Sequence, residues 1–177
     1  MSLYVLFVKT GYEKNVIHEI SNTWGIDRIE PFAPMYDARF RKAGRILVEK
    51  RQCFPGYVFM ESEVGGLDFY LSVRSYVWKS EYVLRFLREG GSDSNQRFSL
   101  DENESTLLQK LLNNERCIEM SKGFIEGNKV IVSEGPLNGL EGIIKKANRH
   151  KMEAIIEVNM MGAVRCVTVG LEVIERR

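Results

Sequence analysis

The stretch Gly127–Val158, GNKVIVSEGPLNGLEGIIKKANRHKMEAIIEV, constrains this chain most. Lys129–Ser133 is rich in β-branched residues, which suit a pleated, half-buried surface. Gly135-Pro136 then sets a turn, because proline fixes φ and glycine adopts backbone angles that other residues avoid. Gly142 falls inside the next apolar run, where a bulge or a close backbone approach is expected. The alternation continues to the end of the chain and predicts strands at 129–133, 140–147, 153–159, 163–169 and 172–175. Five short strands in about 55 residues predict a small closed or partly closed barrel. A domain of that size folds alone only marginally.

The preceding residues read differently. Leu3–Val8 is a β-type run ended by Gly11. Tyr12–Trp24 places Val16, Ile17, Ile20 and Trp24 at helical spacing, and Gly25 closes it. Pro31 and Pro34 demand extended or turned backbone. Gly44 suggests a hairpin tip within Arg39–Arg51, with strands at Ile46–Val48 and Tyr57–Met60. A short helix is predicted over Leu67–Val73 and a strand over Val83–Leu87. A polar loop spans 89–96. Ser99-Leu100-Asp101-Glu102 reads as the cap of a helix running to about Leu112. Asn113–Lys122 is polar, mixed in charge and weakly periodic, and reads as a linker. The expected organisation is α+β, with a first domain over 1–113, a linker over 114–122 and the barrel over 123–177.

Composition excludes several functions. No apolar run approaches the roughly 18 residues of a membrane helix. The apolar stretch at Leu3–Val8 lacks a positive leader and a cleavage site, so it reads as a strand rather than a signal peptide, and a cytoplasmic protein is expected. Cys53, Cys117 and Cys166 are odd in number and far apart, with no C-x-x-C pair, so neither zinc nor a disulfide framework is signalled. His18 and His150 are the only histidines. No phosphate-binding glycine loop and no nucleophile elbow occurs. A non-enzymatic protein without metal or cofactor is expected.

Net charge is +1, but its distribution is uneven. Residues 1–121 carry 16 basic and 17 acidic side chains, whereas 122–177 carry 9 and 7. Lys145, Lys146, Arg149 and Lys151 share one acid-free window with Asn148 and His150. Such a cluster fits either a solvated hairpin or a phosphate-binding patch, in which lysine offers point charges and arginine a planar fork. The six basic residues of Arg39–Arg51 allow the same two readings. Phe54-Pro55-Gly56-Tyr57 fits either a strand-entry turn with inward rings or a rigid aromatic surface feature.

The order LYVLFVKTGYEK, then FPGYVF, then Val73-Arg74 after a short helix resembles the N-terminal domain of NusG-family transcription elongation factors. Gly127–Gly142 resembles the KOW motif of NusG and some ribosomal proteins, so the resemblance spans nearly the whole chain. It implies an NGN-type α/β sandwich followed by a five-stranded KOW β-barrel. It also implies that Tyr4, Phe7, Phe54, Pro55 and Tyr57 form a hydrophobic surface for the clamp helices of RNA polymerase. The family often has Trp where this chain has Leu3. Lys145, Lys146, Asn148, Arg149, His150 and Lys151, joined by Arg165 and Lys129, would bind an RNA hairpin in the nascent transcript. Lys9, Arg41, Lys42 and Arg74 would lie near upstream or non-template DNA. Glu19 stands where RfaH-type relatives have histidine, which argues against their specific base readout. General NusG proteins carry a pattern like S-I-F-G-R whose phenylalanine contacts a ribosomal protein or Rho. Here that stretch is Asn159-Met160-Met161-Gly162-Ala163. Met161 is apolar and adaptable, but the departure together with the basic cluster most resembles the LoaP group of paralogues. Those act in processive antitermination and recognise RNA through the KOW domain. The alternative is a general elongation factor whose barrel binds a ribosomal protein or Rho. A monomer without a membrane partner is expected in either case.

Overall fold

A computed structural model describes residues 1–25, 28–90 and 95–175. The first elements are β1 (Ser2–Val8), α1 (Glu13–Trp24), β2 (Glu30–Phe32), β3 (Met35–Lys42), β4 (Arg45–Gln52), β5 (Tyr57–Ser62), α2 (Gly66–Lys79), β6 (Val83–Phe86) and α3 (Glu102–Leu111). Then follow β7 (Cys117–Ile118), β8 (Ser121–Glu126), β9 (Lys129–Glu134), a 3-10 turn at Glu141–Ile143, β10 (Ile144–Asn148), β11 (Glu153–Met160) and β12 (Ala163–Glu175). The protein is α+β. It divides into two compact units: Met1–Ala33, Phe54–Ser105 and Met160–Ala163 form one, and Pro34–Cys53, Thr106–Asn159 and Val164–Arg177 the other.

The first unit is built on an antiparallel sheet in the order β2-β5-β1-β6. Strand β1 is central and nearly continuous in apolar residues, as expected of a strand buried on both faces. Tyr4, Leu6 and Val8 point to one face, where Val16 and Ile20 of α1 and Phe69 and Val73 of α2 close the core. Tyr4 stacks on Phe69 with ring centroids 3.8 Å apart, and its hydroxyl donates to the Val64 carbonyl at 2.6 Å. Helix α2 outruns its expected end at Val73 and continues to Lys79. Its cap is glycine rather than a hydrogen-bonding side chain.

The cap of α3 is shifted from the sequence expectation. Asp101 Oδ1 accepts from the Glu104 N–H at 2.8 Å, and Glu104 Oε2 accepts from the Asp101 N–H at 2.9 Å. This reciprocal pair is a capping box starting at Asp101 rather than Ser99. Of the polar loop expected over 89–96, positions 91–94 lie outside the described residues. In the flanks, Glu89 and Arg97 exchange backbone hydrogen bonds.

The second unit holds two sheets, β4-β3-β7 and the five-stranded β10-β11-β12-β8-β9, which curls toward a barrel. β3 and β4 form a regular hairpin from Met35↔Gln52 to Lys42↔Arg45. Ala43 and Gly44 at its tip have φ of 50° and 76°, the left-handed pair of a two-residue turn. The stretch read as a linker contains a buried strand: Cys117 and Ile118 pair in parallel with Met35 and Tyr36. Weak periodicity hid it because two residues carry no period. Strand β8 begins at Ser121 and pairs in parallel with the end of β12. The strands expected at 163–169 and 172–175 are one continuous β12. Gly142 sits in the 3-10 turn before β10, not inside a strand. Gly170 does mark a close approach, since a Cβ there would lie 2.3 Å from the Asp37 carbonyl oxygen. No helix among the described residues is long and apolar enough to cross a membrane.

Candidate functional site

The Phe54–Tyr57 turn is held from beneath by a side chain that the sequence reading passed over. Glu13, in the first turn of α1, is 1% exposed. Its carboxylate accepts from the Gly56 N–H at 2.7 Å and the Gly11 N–H at 2.8 Å. The Tyr57 N–H donates to the Phe54 carbonyl at 3.1 Å, closing a four-residue turn with Pro55 and Gly56 at its centre. Gly56 has φ 84°, which glycine adopts without strain at that position. The Val8 N–H donates to the Gly56 carbonyl, so the turn is tied to the end of β1 as well.

That frame presents a row of side chains across three strands. Phe7 on β1 pairs with Tyr57 on β5 and with Arg85 on β6. The Phe7 and Tyr57 rings are 5.2 Å apart and tilted by 42°. The Arg85 guanidinium lies 5.6 Å from the Phe7 ring centre, within cation–π range. Phe7 and Tyr57 are half-buried and Pro55 is exposed. Two residues assigned to this surface are not on it. Tyr4 is 0% exposed, because strand alternation puts residue 4 on the opposite face from residue 7. Phe54 is 4% exposed and packs edge-on against Phe59, their centroids 5.3 Å apart. Beyond the turn, Tyr12 and Tyr82 stack at 4.8 Å, and Lys9 is exposed beside them in sequence. Arg74 is exposed on α2. The Glu19 carboxylate accepts from the Tyr76 hydroxyl at 2.7 Å and is thereby used inside the fold. Burial, and then this carboxylate, push the Tyr76 hydroxyl well above its ordinary pKa.

In the second unit the basic cluster sits on the β10–β11 hairpin. Lys145, Lys146, Arg149, His150 and Lys151 are exposed, and Asn148 is half-buried. Asn148 does local work: its Oδ1 accepts from the Lys151 N–H at 3.0 Å and fixes the turn. Lys145 pairs with Glu157 across the hairpin at 2.9 Å, so its charge is partly matched. Arg165 is half-buried on β12. Lys129 is exposed on β9, at the opposite end of the strand order from β10. The β3–β4 hairpin is anchored by polar contacts to β11 and β12. Arg39 pairs with Glu172 at 2.9 Å, Arg51 with Glu153 at 3.4 Å, and the Tyr36 hydroxyl donates to Glu153 at 3.2 Å. Arg41 and Lys42, at its exposed tip, were expected to serve DNA apart from the RNA set. Arg41 lines one cavity with Arg149 and His150. Among the described residues, no cluster of metal-ligating side chains occurs.

Residues 1–109 match the profile of the family described as "Transcription termination factor nusG". The chain belongs to the NusG family. The transcription termination/antitermination protein NusG of Bacillus subtilis is 28% identical over 170 residues, covering 90% of this chain and 89% of that protein. Its counterpart in Treponema pallidum is 27% identical over 136 residues, covering 76% and 71%. That of Borreliella burgdorferi is 23% identical over an alignment of 184 positions, covering 98% and 97%. NusG proteins are transcription factors rather than enzymes. Against the NusG pattern, Met161 was the residue that kept an apolar contact open at the β11–β12 turn. It is 8% exposed, with φ 52° ahead of Gly162 at 73°, so the side chain is not offered at that turn.

Proposed function

We propose that this NusG-family protein is a processive antitermination and elongation factor with two grips. A domain over 1–113, whose β3–β4 hairpin packs within the second compact unit, docks on RNA polymerase, and a KOW domain over 123–177, joined through 114–122, holds a structured RNA in the nascent transcript. The observation that carries the first grip is the Tyr57–Phe7–Arg85 row beside exposed Pro55, held rigid by Glu13. Aromatic rings and an arginine on a fixed sheet face suit the apolar side of a helix, such as a clamp helix of the polymerase. The second grip rests on the exposed Lys146, Arg149, His150 and Lys151 at one hairpin. Burial of Met161 supports an RNA partner over a ribosomal protein or Rho, and supports kinship with LoaP-type paralogues. The protein acts as a cytoplasmic monomer, with Lys9 and Arg74 reaching toward the DNA. RNA emerging beside the enzyme raises the effective concentration for the second contact, so two modest interfaces suffice.

The test is a pair of variants read in two assays. Phe7→Ser with Tyr57→Ser should abolish capture of core RNA polymerase and leave RNA binding intact. Lys146→Gln with Lys151→Gln should do the reverse, lowering the slope of log K against log salt by about 1 at most for each lost phosphate contact. Unchanged polymerase capture by the first variant would remove the docking surface.

A further inference from the structure

We infer that the second unit contains a seat for one unpaired RNA nucleotide, shared between the β3–β4 hairpin and the β10–β11 hairpin. This rests on the RNA-binding reading above and names the piece of RNA held. The two hairpins are more than a hundred positions apart in sequence, yet Arg41 from one and Arg149 and His150 from the other line a single cavity of about 320 Å³. Met152, Glu172, Val173 and Ile174 complete it.

The chemistry of the lining selects its occupant. Two arginines in one lining suit a phosphodiester, whose oxygens accept charge-assisted, paired hydrogen bonds. Glu172 would repel an anion, but Arg39 lies 2.9 Å from its carboxylate and offsets that charge. Met152, Val173 and Ile174 add apolar residues to the lining, which a phosphate alone would not need. A base or ribose face would bury against it, and His150 and the arginines offer flat groups on which an unstacked base can lie. The volume falls at the small end of ligand pockets, roughly 300–1,000 Å³. It therefore suits a single nucleotide and excludes a duplex. Positions on either side are also apt: Lys146 and Lys151 are exposed on the same hairpin for neighbouring phosphates. The position of Arg41 is built rather than incidental. Arg39, two residues earlier on the same strand, is tied to Glu172 of the cavity wall, and Gly170 permits the close approach of Asp37.

The assay is fluorescence anisotropy of the full chain at about 50 mM salt, where phosphate contacts are strong. Three probes are used: an RNA stem-loop with one unpaired nucleotide in its stem, the same stem fully paired, and the unpaired-nucleotide stem made of DNA. The parent should prefer the first probe by about tenfold. Arg41→Gln should weaken that probe by about five- to tenfold and erase the preference, as expected for losing a hydrogen-bonded charge. Lys42→Gln, with the same loss of charge one residue away, should change it less than twofold. Combining Arg41→Gln with Arg149→Gln should cost less than the two single losses multiplied, because both arginines serve one group. Circular dichroism confirms that the exposed-site variants fold. Arg41→Gln behaving like Lys42→Gln, equal binding of bulged and paired stems, or equal binding of the DNA stem would each overturn the seat. Lys146→Gln with Lys151→Gln separates the two levels. If that variant weakens both RNA stems while Arg41→Gln does not discriminate, the seat alone is wrong. If it weakens neither, RNA binding by this hairpin is wrong, and the seat falls with it.

Discussion

Removal of the Glu13 carboxylate should loosen the docking face without touching it. In Glu13→Ala the Gly56 N–H, buried and 2.7 Å from Oε1, is left without its acceptor. A buried donor stranded in this way costs about 1–3 kcal/mol. The Gly11 N–H belongs to an exposed residue and can turn to water, so its loss adds about 0.5–1 kcal/mol. Relief of the carboxylate's own desolvation offsets part of this, leaving a net loss of about 2–3 kcal/mol. For a chain of this length each kcal/mol lowers Tm by about 2–4 °C, so a drop of about 5–10 °C is expected. Glu13→Gln keeps one acceptor oxygen and should lose about half as much. Lys14→Ala, at an exposed neighbour, is the control. Trp24 and Trp78 are the two tryptophans and both belong to the first unit, so urea unfolding followed by tryptophan fluorescence reports on the correct part of the chain. Polymerase affinity should fall in Glu13→Ala at temperatures where the variant is still folded, because Pro55 and Tyr57 lose their fixed position. A loss of stability below about 0.5 kcal/mol for Glu13→Ala would refute the claim that this carboxylate holds the turn.

Three further outcomes are expected. Cys53 and Cys117 are buried and Cys166 is exposed, so a thiol reagent at neutral pH should titrate one thiol in the native protein and three in urea. Burial, reinforced by Asp37, pushes the Cys117 thiol up to about 11 from an ordinary value near 9. A group whose pKa is raised by folding contributes stability that is full below its unfolded pKa and disappears as pH rises through the folded value. Stability should therefore fall by on the order of 1–2 kcal/mol between about pH 9 and 11 through this thiol, and Cys117→Ala should flatten that limb of the unfolding profile. Gly170→Ala would set a Cβ against the Asp37 carbonyl and should destabilise the second unit by about 1–3 kcal/mol, visible in the circular dichroism melt and absent for Gly142→Ala, where an added Cβ meets nothing within 4 Å.

The elements that the sequence declared were those with a period long enough to see. Leu3–Val8 is one long apolar run, Val16 and Ile20 lie on one face of α1, and β11 alternates along its whole length. β7 has two residues and no period, and its place beside β3 follows from a parallel pairing across more than eighty positions. Gly170 falls in the gap between the strands expected at 163–169 and 172–175, which are one strand, β12. In the fold it is there because the Asp37 backbone passes too close for a side chain. The expected strand number in the barrel matched only because joining 163–169 to 172–175 removed one strand and β8 supplied another.

The site was less legible, for a reason that bears on how it works. Residue type pointed to rings around Phe54–Tyr57, but which rings face outward depends on strand parity and on what covers each face. Parity alone separates Tyr4 from Phe7, and it was available in the sequence. The packing of Phe54 on Phe59 was not, because it depends on a turn whose direction Glu13 sets from another element. Arg85 was passed over for the same reason, since nothing in VLRF announces that its arginine crosses Phe7. Arg41 and Arg149 were assigned to different nucleic acids because they lie in different segments, whereas their convergence on one cavity is a product of tertiary folding. In each instance the informative quantity is a register between strands distant in sequence. A chain that recognises its partners through such registers can change specificity by shifting how its hairpins lie, with its motifs intact. Arg39→Gln, at a residue that ties one hairpin to β12 without lining the cavity, should therefore alter the stem preference of the proposed seat although Arg39 does not touch the ligand.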